Sequence, residues 1–463
     1  MSDDTGGAAA PEDDFDDEFA DDAAEVYREL LGRIGESNPQ PRLEPTRRAV
    51  ELLGDPHRAA PVIHVTGTNG KTSTVRIIES ILRASGLRTG LLTSPHLVRV
   101  NERVVIDGRP VSNEALVRNW ADIAPYLVMV DAELVTAGEA PLTYFEALTV
   151  LAFAIFADAP VDVMVLEVGM GGEWDSTNVA DGQVAVFAPI ALDHQNRLGD
   201  TVAEIARTKA GIIKPAASVV SAMQSIEALD ELLAATERFE ATLAVERRDF
   251  AVTSTTVAVG GQLVSVRGRA GEYSDLFLPL YGDHQAQNAA VAIAAVESFL
   301  GDATVALDAD MLAEGLGTVT SPGRLQLVGV EPTVLVDAAH NPHGAAALAA
   351  ALREYFDFDE FGIVLGVLGD KDVHGIVEEL SPVSARFFVT RSHSDRAISV
   401  DELASRVVAV TGREGVTTHE ELGGALDAAR GWASESPRRA VVVAGSITLV
   451  GEAIDLAETG QWK

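Results

Sequence analysis

Cysteine is absent from the 463 residues. That excludes disulfide bonds, thiolate metal sites and a cysteine nucleophile. No apolar run approaches the roughly 18 residues of a membrane-spanning helix, and no apolar segment stands at the N-terminus. The expectation is a soluble, cytoplasmic protein with no membrane partner. Lysine is nearly missing too: Lys71, Lys209, Lys214, Lys371 and Lys463 are the only five, and arginine supplies the other cations. Nucleic acid is not expected as a partner, because phosphate contacts need clustered Lys and Arg.

Acid is what the chain has in excess. Seventy Asp and Glu against 35 Lys and Arg give a net charge of −35, spread along the whole length. A dispersed acidic surface with few lysines reads as adaptation to molar salt, where self-repulsion is screened. A basic partner would call for an acidic patch confined to one segment, and none is confined in that way. With 47% hydrophobic residues, two or three domains with real cores are expected. The lysine scarcity is itself informative. Lys71, Lys209 and Lys371 sit inside motif-like segments, which marks them first for function.

The richest segment is Pro61-Val62-Ile63-His64-Val65-Thr66-Gly67-Thr68-Asn69-Gly70-Lys71-Thr72-Ser73. An apolar run enters a Gly-containing turn, then a lysine and two hydroxyls, then a helical pattern. Strand, turn and helix in that order put backbone N–H groups where a phosphate can sit. The Lys71 ammonium can reach outer phosphates and a hydroxyl can serve Mg²⁺. Val65 stands where the first glycine of the usual phosphate loop would be, so the loop is the shorter Thr-Gly-Thr-Asn-Gly-Lys. Nucleotide binding is expected.

Residues 1–22 are acidic with little apolar content and are expected to be disordered. Helices are predicted near 23–34 and 46–53, before a strand at 62–66. Strand and helix then alternate: strand 89–93, helices 114–129 and 143–157, a continuous apolar strand 161–168, and strand 184–189. Residues 246–280 alternate more and suggest an antiparallel section. A helix at 287–299 closes this half. A turn at Ser321–Arg324 opens a second βα series with strands at 333–337, 361–368, 385–390 and 440–444. The expected division is 23–318 and 319–463, both α/β.

Several polar groups cluster at predicted strand ends, where α/β sheets bind ligands. Ser94, in Thr-Ser-Pro-His-Leu, can offer an oxygen to Mg²⁺. Glu146 lies on a very apolar helix, where an unpaired buried carboxylate would cost several kcal/mol; a metal partner would resolve that. Glu167 ends the buried strand, ahead of Val168-Gly169-Met170-Gly171-Gly172. Asp193-His194 follows the next strand, with Lys209 fifteen residues on. Oxygens and one imidazole around Mg²⁺, completed by phosphate, make sensible chemistry. In the second half, Asp337 can bind ribose hydroxyls, Arg324 can bridge phosphates across the cleft and Asn288 can read adenine.

With these motifs in view the chain resembles the folylpolyglutamate synthase/dihydrofolate synthase family of the Mur ligase superfamily. The segments that carry the resemblance are His64–Ser73, Thr93–Leu97 with Asn101-Glu102-Arg103, Glu167–Asn178, Leu192–Pro215, Gly282–Ala289, Pro322–Gln326, Asp337–Pro342, Gly369–Asp372 and Gly445–Glu452, so it covers nearly everything from about Arg42 onward. The Thr-Ser-Pro-His-Leu segment favours the folate branch over the peptidoglycan ligases. The resemblance implies a P-loop-type ATPase domain followed by a smaller Rossmann-like α/β domain. It implies an ATP- and Mg²⁺-dependent ligase that adds L-glutamate to dihydropteroate or tetrahydrofolate polyglutamates through an acyl phosphate. By motif position Gly67, Thr68, Asn69, Gly70, Lys71, Thr72 and Ser73 would hold ATP phosphates, and Asn288, Arg324 and Asp337 would contact ATP. Ser94, Glu146 and His194 would hold Mg²⁺. Lys209 matches the lysine that is carbamylated in the family to hold a second ion, and His340 would lie near the reacting phosphate and glutamate. K⁺ is a further candidate ion, and a monomer is implied. Two departures stand out: Thr72 where many members have Gly, and Glu173 where Arg is common. Alternatives are the same chemistry on another pterin, a deazaflavin or a muramyl-type acceptor, and a nucleotide-binding protein without catalysis.

Overall fold

The structure, a computed structural model, describes residues 17–36, 40–412 and 416–460. Its larger sheet has eight strands in the order Arg109–Pro110, Val104–Ile106, Thr89–Leu92, Val163–Glu167, Val62–Thr66, Gly182–Phe187, Ser218–Ser221 and Thr242–Val245. The last six are parallel, and the first two add an antiparallel edge. Val62–Thr66 and Val163–Glu167 are buried at every position. Continuous apolar strands of this kind need both faces covered. Ile63, Val65 and Val165 meet Ile77 and Ile81 of the Lys71–Ala84 helix and Ile293 of the Asp283–Gly301 helix. Val62, Met164 and Leu166 meet Leu148 and Phe153 of the Tyr144–Asp158 helix on the other face.

The alternating section is the antiparallel sheet Ala251–Ala258, Gly261–Arg267 and Glu272–Leu278. The second α/β unit is a six-stranded sheet in the order Gln326–Val330, Thr333–Val336, Arg439–Ala444, Glu360–Leu365, Ser384–Val389 and Thr417–Thr418. Only its first strand is antiparallel to its neighbour.

Some boundaries differ from expectation. Of the predicted disordered extension, residues 1–16 lie outside the described residues. Asp17–Phe19 forms a 3₁₀ turn and the first helix runs Ala20–Leu31. It starts early because Ala23, Val26 and Leu30 share a buried side and pack with the Asn113–Thr136 helix in one core. That helix in turn continues past Met129 and through Pro125. Ser112 caps its start by accepting from the Ala115 N–H, and a proline removes only one helical donor. The strands Ser218–Ser221 and Thr242–Val245 were not anticipated; each has four residues, too short for a period to declare itself.

The two α/β units meet across polar and apolar contacts. Ser73 Oγ lies 3.1 Å from Ser321 Oγ. The Asn341 amide donates to Asn69 Oδ1 at 3.0 Å, and Lys371 Nζ donates to Asp193 Oδ1 at 2.9 Å. Leu97 packs against the core that holds Val450. Gly451 must be glycine there, because a Cβ would stand 2.1 Å from Leu97 O.

Candidate active site

A cavity of about 810 Å³ lies between the two units and is lined by both. One wall is the phosphate loop. Gly70 has φ +85°, and a Cβ there would meet Asn288 Oδ1 at 2.6 Å; this brings Asn288 against the loop and makes glycine necessary twice over. Gly67 is packed as tightly, with Ala188 Cβ 2.7 Å from where its own Cβ would be. The Lys71–Ala84 helix begins immediately after, so its first N–H groups lack intrahelical partners and its positive end faces the cavity. Lys71 Nζ donates to Thr68 O at 3.3 Å, and burial lowers its pKa against the attraction of Glu167 and Asp193.

Glu167 ends the central strand beside this loop. Its Oε1 accepts from the Thr72 hydroxyl at 2.9 Å and its Oε2 from the Ser94 N–H at 3.2 Å. It is 1% exposed. Burial raises its pKa, with Lys71 and these hydrogen bonds opposing. His194 also lines the cavity. It sits at φ 51°, a left-handed conformation that histidine tolerates better than most side chains. Burial pushes its imidazole down to about 4, with Lys371 adding to the effect. No hydrogen bond engages that ring among the described residues.

The expectation for Glu146 is corrected. Glu146 closes a capping box: its N–H donates to Thr143 Oγ1, and its Oε2 accepts from the Thr143 N–H at 2.7 Å. Arg42 then holds both carboxylate oxygens, each at 3.0 Å. The buried carboxylate has its counter-ion already, so the argument that a metal must pair it fails. Glu167 is the carboxylate that stands with Ser94 and the phosphate loop. The signal for it was in the sequence: an acid at the C-terminal end of a wholly apolar strand.

Lys209 is buried and its Nζ donates to Gly67 O at 2.8 Å. Burial, then repulsion from Lys71, lowers its ammonium pKa to about 7. From the other unit come Arg324, Asp337, His340 and Lys371, all lining the cavity. Asp337 accepts from the Leu325 and Ala339 N–H groups, both at 2.8 Å, and burial raises its pKa. His340 Nδ1 lies 2.8 Å from Ala338 O. The carbonyl can only accept, so Nδ1 carries the proton and Nε2 the lone pair. That Nε2 is 3.9 Å from Asp193. Burial lowers the His340 pKa to about 4.

Sequence reasoning flagged Asp193 and Lys371 separately and missed that they pair. Burial alone would raise the Asp193 pKa. The Lys371 ammonium, followed by His194, overcomes burial and holds it well below the usual carboxylate range. Of the two departures from the family pattern, Thr72 supplies the hydroxyl on Glu167. Glu173 is exposed, and its backbone N–H donates to Thr208 O at 2.9 Å.

The chemistry of this site suits phosphate and a divalent cation. Among the described residues no group of three or more His, Cys, Asp or Glu is gathered to hold a metal unaided. A carboxylate and an imidazole flanked by hydroxyls fit Mg²⁺, which keeps waters and takes substrate phosphate as ligand.

Known proteins of similar sequence and structure support the nucleotide part of this reading. The Mur ligase middle domain model matches residues 65–296, and the Mur ligase, glutamate ligase domain model matches residues 323–447. The dihydrofolate synthase/folylpolyglutamate synthase of Mycobacterium tuberculosis is 43% identical, over 90% of each chain. The M. tuberculosis folylpolyglutamate synthase structure complexed with ADP superposes with a TM-score of 0.91 at 42% identity, covering 95% of this chain and 99% of that one. An Escherichia coli FolC structure in complex with DHPP and ADP superposes with a TM-score of 0.83 at 29% identity, covering 96% and 99%. The chain belongs to the folylpolyglutamate synthase/dihydrofolate synthase family of Mur ligases and is an ATP-dependent ligase.

Proposed function

We propose that this ligase joins L-glutamate to dihydropteroate, to tetrahydrofolate polyglutamates, or to both, working in the cytoplasm. The carrying observation is the single cavity that brings Lys71, Glu167 and His194 of one unit against His340 and Lys371 of the other. Residues 23–318 and 319–463 are the two domains in this reading. ATP phosphates lie along Gly67–Ser73, and Arg324 reaches them from the second domain. Asn288 and Asp337 contact the nucleoside. Phe145, Met170 and Trp174 among the lining offer apolar and aromatic surface to the flat ring system of a pterin.

The substrate carboxylate oxygen attacks the γ-phosphorus, and ADP leaves. Lys71 and the loop N–H groups neutralise charge on the transferred group. The glutamate ammonium gives a proton to His340 Nε2, its amine attacks the acyl carbon, the acyl C–O bond breaks, and phosphate leaves taking the second amine proton as the amide forms. His340 lines the cavity with an unprotonated Nε2, which supports this role. Glu167 and His194, with Ser94 and Thr72 beside them, would hold Mg²⁺, which supplies charge neutralisation on the phosphates. Lys209, with its pKa lowered, is ready to take up CO₂ as a carbamate and hold a second ion.

The test is glutamate-dependent phosphate release from ATP in molar KCl with Mg²⁺, with dihydropteroate and tetrahydrofolate supplied separately. Release with both identifies a bifunctional synthase, and release with one names the activity. ATP binding without release moves the assignment to another acceptor or to a non-catalytic role. The net charge of −35 also carries a prediction: below about 0.1 M salt, where screening extends to ~10 Å, fold and activity are lost together. Circular dichroism and phosphate release along a KCl series check it, and full activity without added salt refutes it.

A further inference from the structure

The strand that ends in the phosphate loop carries a residue out of character for its core. Val62, Ile63 and Val65 are apolar, whereas His64 at its centre is a fully enclosed imidazole. Burial pushes its pKa down to about 3, so the ring is neutral. Nε2 lies 2.8 Å from Thr177 Oγ1, and that hydroxyl gives its one proton to Asp175 Oδ1 at 2.5 Å. Towards His64 the oxygen can only accept, so Nε2 carries the ring proton. Nδ1 is left as a buried lone pair with no hydrogen-bond partner among the described residues. A buried polar atom without a partner is destabilising. An aliphatic side chain would avoid it, so what the ring offers here is the Nε2 contact.

That contact braces residues 169–178. Asp175 ties the segment together: its Oδ1 also accepts from the Thr177 N–H at 3.0 Å, and its Oδ2 from the Met170 N–H at 2.9 Å. Two residues on along the strand, on the same face, Thr66 donates its hydroxyl to Gly171 O at 2.8 Å. His64 and Thr66 therefore hold the segment near its end and near its start. The segment carries Met170 and Trp174, and Phe145 rests on it, because a Cβ at Gly169 would stand 2.7 Å from the Phe145 ring. The phosphate loop is fixed by other contacts: the Thr68 N–H donates to Pro189 O at 2.8 Å, and Lys209 Nζ donates to Gly67 O. We infer that His64 is a positioning residue for the acceptor. Through Thr177 and Asp175 it sets where Phe145, Met170 and Trp174 stand relative to the phosphate loop that the same strand carries. This rests on the pterin reading of that surface.

Kinetics of the full chain in molar KCl test this. Thr177→Val keeps the shape of the side chain and removes the hydroxyl that links His64 to Asp175. The expected result is a KM for the pterin acceptor raised about tenfold, with the KM for ATP within about twofold of the wild type. T177S restores the acceptor KM. H64L gives the same split, and H64Q, whose amide N–H can reach Thr177, repairs it. An unchanged acceptor KM in T177V overturns the inference. So does a parallel rise in both KM values that neither T177S nor H64Q repairs, since that is the mark of a general packing defect. Hydrogen exchange of the ligand-free chain, read by mass spectrometry, separates this inference from the pterin reading. T177V should speed exchange in residues 169–178 and leave residues 67–73 unchanged, and equal exchange in 169–178 overturns the brace. If the wild type releases phosphate with neither pterin, the pterin reading fails, and the assignment of His64 to acceptor placement falls with it, while the exchange result still decides whether the brace exists.

Discussion

Glu146 and Glu167 are both nearly sealed from solvent, 3% and 1% exposed, and both line the same cavity. Their surroundings differ. Glu146 caps the helix it begins and is gripped by the Arg42 fork through both oxygens. Glu167 has a hydroxyl and a backbone N–H, while the nearby ammonium of Lys71 is turned to Thr68 O. A buried carboxylate with a hydrogen-bonded cation is complete, and its loss is felt as instability. A buried carboxylate that lacks one holds its charge for a ligand, and its loss is felt in chemistry. Burial alone does not separate a structural acid from a functional one; the counter-ion does.

The comparison is broken or upheld most sharply by activity. Glu167→Gln is expected to lower glutamate-dependent phosphate release by on the order of 10³-fold with the fold intact. Glu146→Gln should leave it within about tenfold. If E146Q abolishes turnover in folded protein while E167Q retains it, the assignment is reversed. On stability the order inverts. E146Q removes the carboxylate held in the Arg42 fork and leaves Arg42 only Glu139 at 3.6 Å; it should cost about 2 kcal/mol in denaturant unfolding, whereas E167Q relieves a carboxylate that burial already disfavours and should cost nothing measurable.

Lys209 extends the comparison to a buried cation with no carboxylate partner. It titrates near 7 in the fold and at its ordinary 10.5 when unfolded, so between these values the unfolded chain holds the extra proton. Stability therefore rises with pH from about 7 to about 10.5, by at most about 1.4 kcal/mol per unit. Lys209→Met should flatten that slope in denaturant melts taken across the range. The smallest effect concerns Thr72. Thr72→Val removes the hydroxyl on Glu167 and should raise the Mg²⁺ concentration for half-maximal activity several-fold, and T72S should restore it. An unchanged Mg²⁺ requirement in T72V would mean that the hydroxyl does not position the acid.

Much was legible in the chain because the forces involved are local. The Val62–Thr66 strand, the turn through Gly67 and Gly70 and the start of the helix at Lys71 are dictated by a mostly apolar run and by glycine conformation, all within Pro61–Ser73. The apolar 163–166 run, short and bounded by Pro160 and Gly169, reads as a strand covered on both faces. Five lysines in 463 residues made Lys71, Lys209 and Lys371 conspicuous before any fold was known, and all three line the cavity.

What the sequence by itself determined was the kind of protein: two α/β units, a phosphate loop, polar groups at strand ends and a ligase family. Tertiary structure decided which of those groups act together. Arg42 stands 104 residues from Glu146 and Lys371 stands 178 from Asp193, and no periodicity spans such distances. Both pairings exist because packing brings the chain segments together and because a charge withdrawn from water must find its opposite. That requirement selects partners by position in space, which the order of residues along the chain does not contain.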